Sequence, residues 1–269
     1  MSDSKPSFGG SVPENYDRYL VPLIFEVYAD DLASRLNVAE GGAVLETAAG
    51  TGVVTRKLRA RLPASVALMA TDLNDAMLDV ARASLGDAGG VEIRIADATD
   101  LPFPDAAFNA VVCQFGVMFF PDKQRGYAEA ARVLKPGGAF LFNVWDSLAH
   151  NALVRVTHEC VAALCPDDPP PFLALPFGYH DVEEITRGLR AAGFDDIEKA
   201  VLSRQSRAES AADVARGFAA GSPLLAELEA RDMAGEQSVS AIETALIDSF
   251  GTGPITAPMQ AIAFVAHRP

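Results

Sequence analysis

Ala43-Val44-Leu45-Glu46-Thr47-Ala48-Ala49-Gly50-Thr51-Gly52 decides the fold. A short apolar strand, Ala43 to Glu46, runs without a break into a glycine-bearing turn. Val53, Val54, Leu58 and Leu62 then recur at helical spacing until Pro63 stops them. The same unit repeats downstream. Ser65 to Thr71 reads as a second strand ending at Asp72, and Asp75 to Leu85 as a helix with Met77, Leu78, Ala81 and Leu85 inward, closed by Gly86. Val91 to Ala96 is a third strand ending at Asp97, and Phe108 to Cys113 a fourth. Asp122 caps a helix carrying Tyr127, Ala130, Val133 and Leu134. Lys135-Pro136-Gly137-Gly138 reads as a turn into a fifth strand, Ala139 to Val144. Strands that are apolar on both faces, alternating with helices of about three turns, predict an α/β doubly wound sheet, mostly parallel and covered on both sides.

Outside that run the rhythm loosens. Leu23, Ile24, Val27, Leu32 and Leu36 predict a helix from Tyr19 to Leu36, with Pro22 in its first turn. Ala149 to Leu164 reads as helical and Pro166 to Pro176 as a Pro-rich loop. Asp181 and Glu184 have capping-box spacing for a helix that stops at Gly193. Ile197 to Arg204 and Met259 to Ala266 read as strands. Ser210 to Phe250 reads as helices broken at Gly221-Ser222-Pro223 and near Gly235.

The chain has 269 residues, 22 Lys and Arg against 36 Asp and Glu, and a net charge of −14. That charge argues against nucleic acid or an anionic membrane as partner, since both need a basic field. Three cysteines, an odd count in a chain this long, fit a reduced, cytoplasmic setting. Met1-Ser2-Asp3-Ser4-Lys5-Pro6 lacks the basic start and apolar run of a signal peptide, and the first ten residues read as a mobile tail. The longest apolar stretch, Ala106 to Phe120, is too short to span a bilayer.

In an open parallel sheet ligands bind beyond the carboxyl ends of the strands. Four such ends carry suggestive residues: Glu46 with Gly50-Thr51-Gly52, then Asp72, Asp97, and Cys113-Gln114-Phe115. The glycines let a helix amino-terminus approach a ligand, and an acid ending the second strand suits a ribose diol. The loop alone is a weak signal. With an acid ending each of the next two strands, it becomes a strong one.

On these residues the sequence resembles the class I S-adenosylmethionine-dependent methyltransferases, in their small-molecule (type 11/25-like) branch. Val44 to Gly52 matches the family's first motif, and Ala70-Thr71-Asp72-Leu73-Asn74 with Met77-Leu78 matches the second. Asp97-Ala98 with Leu101-Pro102-Phe103 and Phe108-Asn109 matches the third region, and Arg132 to Gly138 the turn before the fifth strand. The likeness covers roughly residues 40 to 146, and Ala48 departs from the glycine more usual at its position.

The resemblance implies a Rossmann-like seven-stranded sheet with an antiparallel last strand and helical cap insertions. It divides the chain into a tail and lid helix over 1–40, a cofactor-binding core over 41–147, and cap helices with the last two strands over 148–269. It implies S-adenosylmethionine as cofactor, S-adenosylhomocysteine as product, a small-molecule acceptor, and a monomer or homodimer. Carried across, Gly50, Thr51 and Gly52 with Ala48 pass under the methionine part, and Glu46 orders that loop. Asp72 holds the ribose hydroxyls, Leu73 and Met77 flank the adenine, and Asp97 and the Ala98 amide meet its edge. Gln114 and Phe115 line the channel to the sulfonium. Tyr16 and Tyr19 lie in a lid segment, Asn15-Tyr16-Asp17-Arg18-Tyr19.

The bland readings differ residue by residue. Asp168-Pro169-Pro170-Pro171-Phe172 is superficially similar to a motif of amino-group methyltransferases. It lies far from the fourth strand, where that motif belongs, and reads as a loop. His158, Cys160 and Cys165 fit no common zinc spacing, so no metal is expected. His150, just beyond the fifth strand, is the best-placed candidate for a general base, with a merely structural role as its rival. Two other functions stay open: a NAD(P)-dependent oxidoreductase, whose third glycine position would here be Thr55, and a cofactor-binding regulatory protein without catalysis.

Overall fold

A computed structural model describes residues 9–86 and 89–269; the tail expected at the start of the chain lies, up to residue 8, outside the described residues. Among them are seven strands in one sheet: β1 (Ala43–Glu46), β2 (Ala67–Asp72), β3 (Val91–Ile95), β4 (Phe108–Gln114), β5 (Leu134–Trp145), β6 (Asp195–Ala208) and β7 (Ile255–His267). Their order is β3-β2-β1-β4-β5-β7-β6. The pairs β1–β2, β2–β3, β1–β4 and β4–β5 are parallel, and β7 runs antiparallel to β5, from Ala139 opposite His267 to Trp145 opposite Ala261. This is the doubly wound, mostly parallel sheet expected. The strand order reverses direction between β1 and β4, which opens a crevice at their carboxyl ends.

The helices are α1 (Val12–Asn15), a π-helix (Tyr16–Phe25), α2 (Glu26–Ser34), α3 (Val53–Arg61), α4 (Asp75–Leu85), α5 (Lys123–Val133), α6 (Ala152–Leu164), α7 (Val182–Ala191), α8 (Ala211–Ala220), α9 (Leu224–Glu229) and α10 (Gly235–Phe250). Their starts follow capping chemistry. The Asn74 side chain accepts from Met77 N, Asp122 from Arg125 N, Ser210 from Asp213 N, and Asp181 from both Glu183 N and Glu184 N.

Two local expectations are corrected. Pro22 does not open a helix; it sits inside the ten-residue π-helix. A proline ring within an α-helix clashes with the carbonyl four residues back, and the wider π-turn moves that carbonyl away. Lys135-Pro136-Gly137-Gly138 is not a turn before β5 but a bulge within it. Leu134 already pairs with Phe108, and the register then jumps to Ala139 opposite Ala110. Gly137, at φ +76°, donates to Arg268 O at 2.8 Å, and Arg268 N donates to Gly138 O at 2.8 Å. The chain's last residues thus satisfy the bulge.

Contacts divide the chain into two compact units. The sheet unit comprises Glu26–Trp145, Tyr179–Leu202 and Ala261–Pro269. Its centre is fully buried Leu45, Val112, Leu141 and Phe142, with Phe142 stacked on Phe264 at 5.0 Å. Each such side chain contributes about 1.5–3 kcal/mol by leaving water. The helical unit comprises the described part of Met1–Phe25 with Asp146–Gly178 and Ser203–Gln260. There α8 packs on α10 and on the π-helix, burying Leu20, Val214, Phe218, Ile242 and Leu246. A Cβ at Gly217 would lie 3.2 Å from both Tyr19 Cβ and Leu20 Cδ2, so the bare backbone of α8 makes room for those side chains of the π-helix.

Candidate functional site

The site is assembled where β1, β2, β3 and β4 end. After Glu46 the chain turns through three left-handed residues, Ala48 at φ +52°, Gly50 at φ +56° and Gly52 at φ +82°. Gly52 is the amino-terminal cap of α3. Thr47 N donates to Val112 O and Ala49 N to Thr71 O, both at 2.9 Å, so the loop is tied to both neighbouring strands. Gly50 N then donates to Asp72 Oδ2 at 2.9 Å, and Asn74 N donates to Asp72 Oδ1 at 2.8 Å. The Asp72 carboxylate is therefore fixed in plane by two backbone amides. Burial raises its pKa above the ordinary carboxylate value, against the opposing pull of the Asn74, Gly50 and Leu73 amides.

Glu46 lies beneath the loop, 1% exposed. Thr55 Oγ1 donates to Glu46 Oε2 at 2.6 Å, and Thr71 Oγ1 donates to Glu46 O at 2.9 Å. Burial, with the nearby Asp72 charge, pushes the Glu46 carboxyl up to about 8 despite the Thr55 bond. The Thr51 hydroxyl is buried and has no hydrogen-bond partner among the described residues. Met77 is buried and its Cε lies 3.5 Å from where a Gly50 Cβ would be, whereas Leu73 is 52% exposed.

The other strand ends complete the row. Ala96 N donates to Asp72 O at 3.0 Å, which sets Asp97 and Ala98 beyond β3. Asp97 Oδ1 accepts from Thr99 N and Thr99 Oγ1, and both Asp97 and Ala98 are half-buried. Gln114 ends β4. Phe115 follows at φ +50°, buried, its ring stacked on Trp145 at 3.9 Å with 8° between planes. Its amide donates to Asn143 Oδ1 at 3.0 Å and to Asn143 O at 3.2 Å.

The structure thus brings together Glu46, Ala48, Gly50, Thr51, Gly52, Asp72 and Met77 around one loop, with Leu73, Asp97, Ala98, Gln114 and Phe115 at adjoining strand ends. Tyr16, Tyr19 and His150 belong to the helical unit. Tyr16 stacks on Phe25 at 4.9 Å, Arg18 lies over the Tyr19 ring at 5.2 Å, and His150 is exposed in a 3-10 turn. Thr55 and Asn143 were not expected. Each is a polar residue inside an apolar pattern, Thr55 beside Val53, Val54 and Leu58, and Asn143 between Phe142 and Val144. That signal was available in the sequence. Among the described residues no cluster of His, Cys, Asp and Glu could hold a metal ion, and no helix is long and apolar enough to cross a membrane.

A family model described as a methyltransferase domain matches residues 45–142. A ubiquinone/menaquinone biosynthesis C-methyltransferase UbiE of Bordetella avium is 44% identical over 108 residues, 40% of this chain and 42% of that protein. The chain therefore spans less than half the length of that relative. The protein of the same name from Idiomarina loihiensis is 33% identical over 177 residues, 60% of this chain and 69% of that protein. The chain belongs to the class I S-adenosylmethionine-dependent methyltransferase family. A solved structure of Haemonchus contortus phosphoethanolamine N-methyltransferase 2 in complex with S-adenosyl-L-methionine superposes with a TM-score of 0.60. It has 16% identity and covers 96% of this chain and 56% of that one, a likeness of fold alone.

The residues present fit that family's cofactor on three counts. The loop has glycines where the backbone is left-handed, it holds a buried hydroxyl without a partner among the described residues, and the carboxylate beside it is fixed by backbone amides on both oxygens. The position of a dinucleotide fingerprint's third glycine is held by Thr55, committed to Glu46, which does not fit the oxidoreductase alternative.

Proposed function

We propose that the protein transfers a methyl group from S-adenosylmethionine to a small-molecule acceptor and releases S-adenosylhomocysteine. The Asp72 carboxylate carries this reading. A carboxylate has about four lone-pair sites; Gly50 N and Asn74 N take one on each oxygen, and the acceptor capacity left over is what the ribose hydroxyls would meet. The other roles follow by position. Gly50, Thr51 and Gly52 pass under the methionine part, and Glu46 and Thr55 keep that loop in shape. Leu73 and Met77 flank the adenine, and Asp97 with the Ala98 amide meets its edge. Gln114 and Phe115 form the wall toward the acceptor, and Tyr16 and Tyr19 act as the lid.

The cofactor, when bound, supplies a methyl group already activated on a sulfonium. The chain's own work is to orient the acceptor in line and exclude water. Cys113 is no base: burial pushes its thiol up to about 11, so it holds its proton at neutral pH. The names of the relatives favour a carbon acceptor. The charge of −14 favours a small molecule over nucleic acid, and three free cysteines favour a cytoplasmic setting.

Isothermal titration tests the first half. S-adenosylhomocysteine is expected to bind at micromolar concentration and NAD(P) not to bind. Asp72→Ala is expected to weaken the binding by about 1–3 kcal/mol. Unchanged affinity in that variant refutes the role of Asp72, and NAD(P) binding in place of S-adenosylhomocysteine refutes the reading. Transfer of tritiated methyl into a metabolite extract tests the second half: binding without labelled product is the result of a non-catalytic protein.

A further inference from the structure

Two residues at the carboxyl edge of the sheet occupy the left-handed region without being glycine, Ala48 at φ +52° after β1 and Phe115 at φ +50° after β4. An L residue takes that conformation only under constraint. The constraints on both converge on Gly116. A Cβ built there would lie 2.5 Å from Ala48 Cβ and 2.7 Å from Cys113 Sγ, closer than atoms pack. The missing side chain of Gly116 is therefore the space that the Ala48 methyl fills. Cys113 is fully buried at the end of β4, and its sulfur closes the space at Gly116 together with the Ala48 methyl. On the far side, Asn143 takes the Phe115 amide on both its backbone and side-chain oxygens.

We propose that Gly116 and Cys113 are positioning residues that lock the two loops to each other. The loop that aims the Gly50 amide at Asp72 and the loop that carries Gln114 then keep a single relative placement. A close-packed contact transmits such a displacement instead of absorbing it. A change on the acceptor side of the sheet is therefore felt as cofactor affinity. The proposal rests on the methyltransferase reading above.

The test is titration of the full chain with S-adenosylhomocysteine, with circular dichroism and thermal melting alongside. Gly116→Ala is expected to stay folded and to bind about tenfold more weakly. Ala48→Gly combined with Gly116→Ala moves the methyl from one side of the contact to the other, leaving the turnable Cys113 thiol as the remaining neighbour. That double variant is expected to recover most of the loss. Wild-type affinity in Gly116→Ala, or a double variant no better than Gly116→Ala, overturns the proposal. Should Gly116→Ala not fold, the thiol decides. Cys113→Ala is expected to bind about fivefold more weakly, and Cys113→Ser, whose hydroxyl keeps an atom in the same contact with Gly116, to bind like the wild type; equal affinities overturn the proposal. Failure of the wild-type protein to bind S-adenosylhomocysteine at all is a failure of the methyltransferase reading itself, and the proposal falls with it.

Discussion

The loops after β1 and β4 leave adjacent strands, and each turns through a strained non-glycine residue, yet they are held in opposite ways. The β1 loop is held by polar groups: Gly50 to Asp72, Thr55 to Glu46, and Ala49 to Thr71. The β4 loop is held by an aromatic stack, with the Asn143 oxygens taking the Phe115 amide. Phe115 lies flat on Trp145, and Tyr28 stands edge-on to both, at 5.5 Å from Phe115 and 5.4 Å from Trp145. A polar network leaves amides, lone pairs and a hydroxyl able to meet a ligand. A dry stack has no such valence and supplies shape. The first loop offers polar valences and the second a fixed shape.

The largest expected effect breaks or sustains that contrast. Phe115→Ala removes the stack and is expected to cost about 3–5 kcal/mol of stability, read by denaturant unfolding. Ala48→Gly, at the matching position of the β1 loop, is expected to change stability by no more than about 1 kcal/mol, because relief of the left-handed strain offsets the added freedom of glycine. Similar costs at the two positions would erase the distinction.

The next effect is one only the polar loop can show. Glu46 titrates at about 8 in the folded chain, far above its ordinary 4.5. Below pH 4.5 the folded and unfolded chains both hold the proton. Between 4.5 and 8 the unfolded chain releases it and the folded chain does not, so stability falls as pH rises through that window and levels off above it. The fall is on the order of a few kcal/mol, and Asp72, also raised, adds to it with the same sign. Unfolding at pH 5, 6.5 and 8 is expected to show that slope in the wild type and much less of it in Glu46→Gln. Equal slopes would place the titrating group elsewhere.

The two loops also differ in how far they could be read beforehand. The β1 loop was legible because its constraints are local in sequence: two glycines and an acid ending each of the next two strands. At the β4 loop Gln114 and Phe115 were legible as candidates, but the partners that hold the loop were not, because they come from afar. Trp145 and Asn143 lie in β5 and Tyr28 in α2, and only pairing of the sheet brings them to Phe115. The same reason hid the β5 bulge. Pro136-Gly137-Gly138 has turn chemistry, and its actual partner is Arg268, at the other end of the chain. Sequence order in the parallel sheet was readable from periodicity, whereas the π-helix around Pro22 was not, since proline after Tyr19 reads as a start.

The smallest effect divides the polar loop itself. Gly50 and Gly52 are both left-handed, but a Cβ at Gly50 would make an ordinary contact with Met77 Cε at 3.5 Å. At Gly52 it would lie 3.1 Å from Ala81 Cβ and 3.5 Å from Ala81 Cα, in the packing of α3 against α4. Gly52→Ala therefore carries backbone strain and helix displacement together, about 2 kcal/mol in all, and Gly50→Ala the strain alone, about 1 kcal/mol. Affinity for S-adenosylhomocysteine is expected to order them the other way. The Gly50 Cβ stands beside the amide aimed at Asp72, where the methionine part is proposed to pass, whereas the Gly52 Cβ points into the protein. If Gly52→Ala loses more affinity than Gly50→Ala at matched stability, the binding surface lies nearer the start of α3 than the Asp72 contact implies.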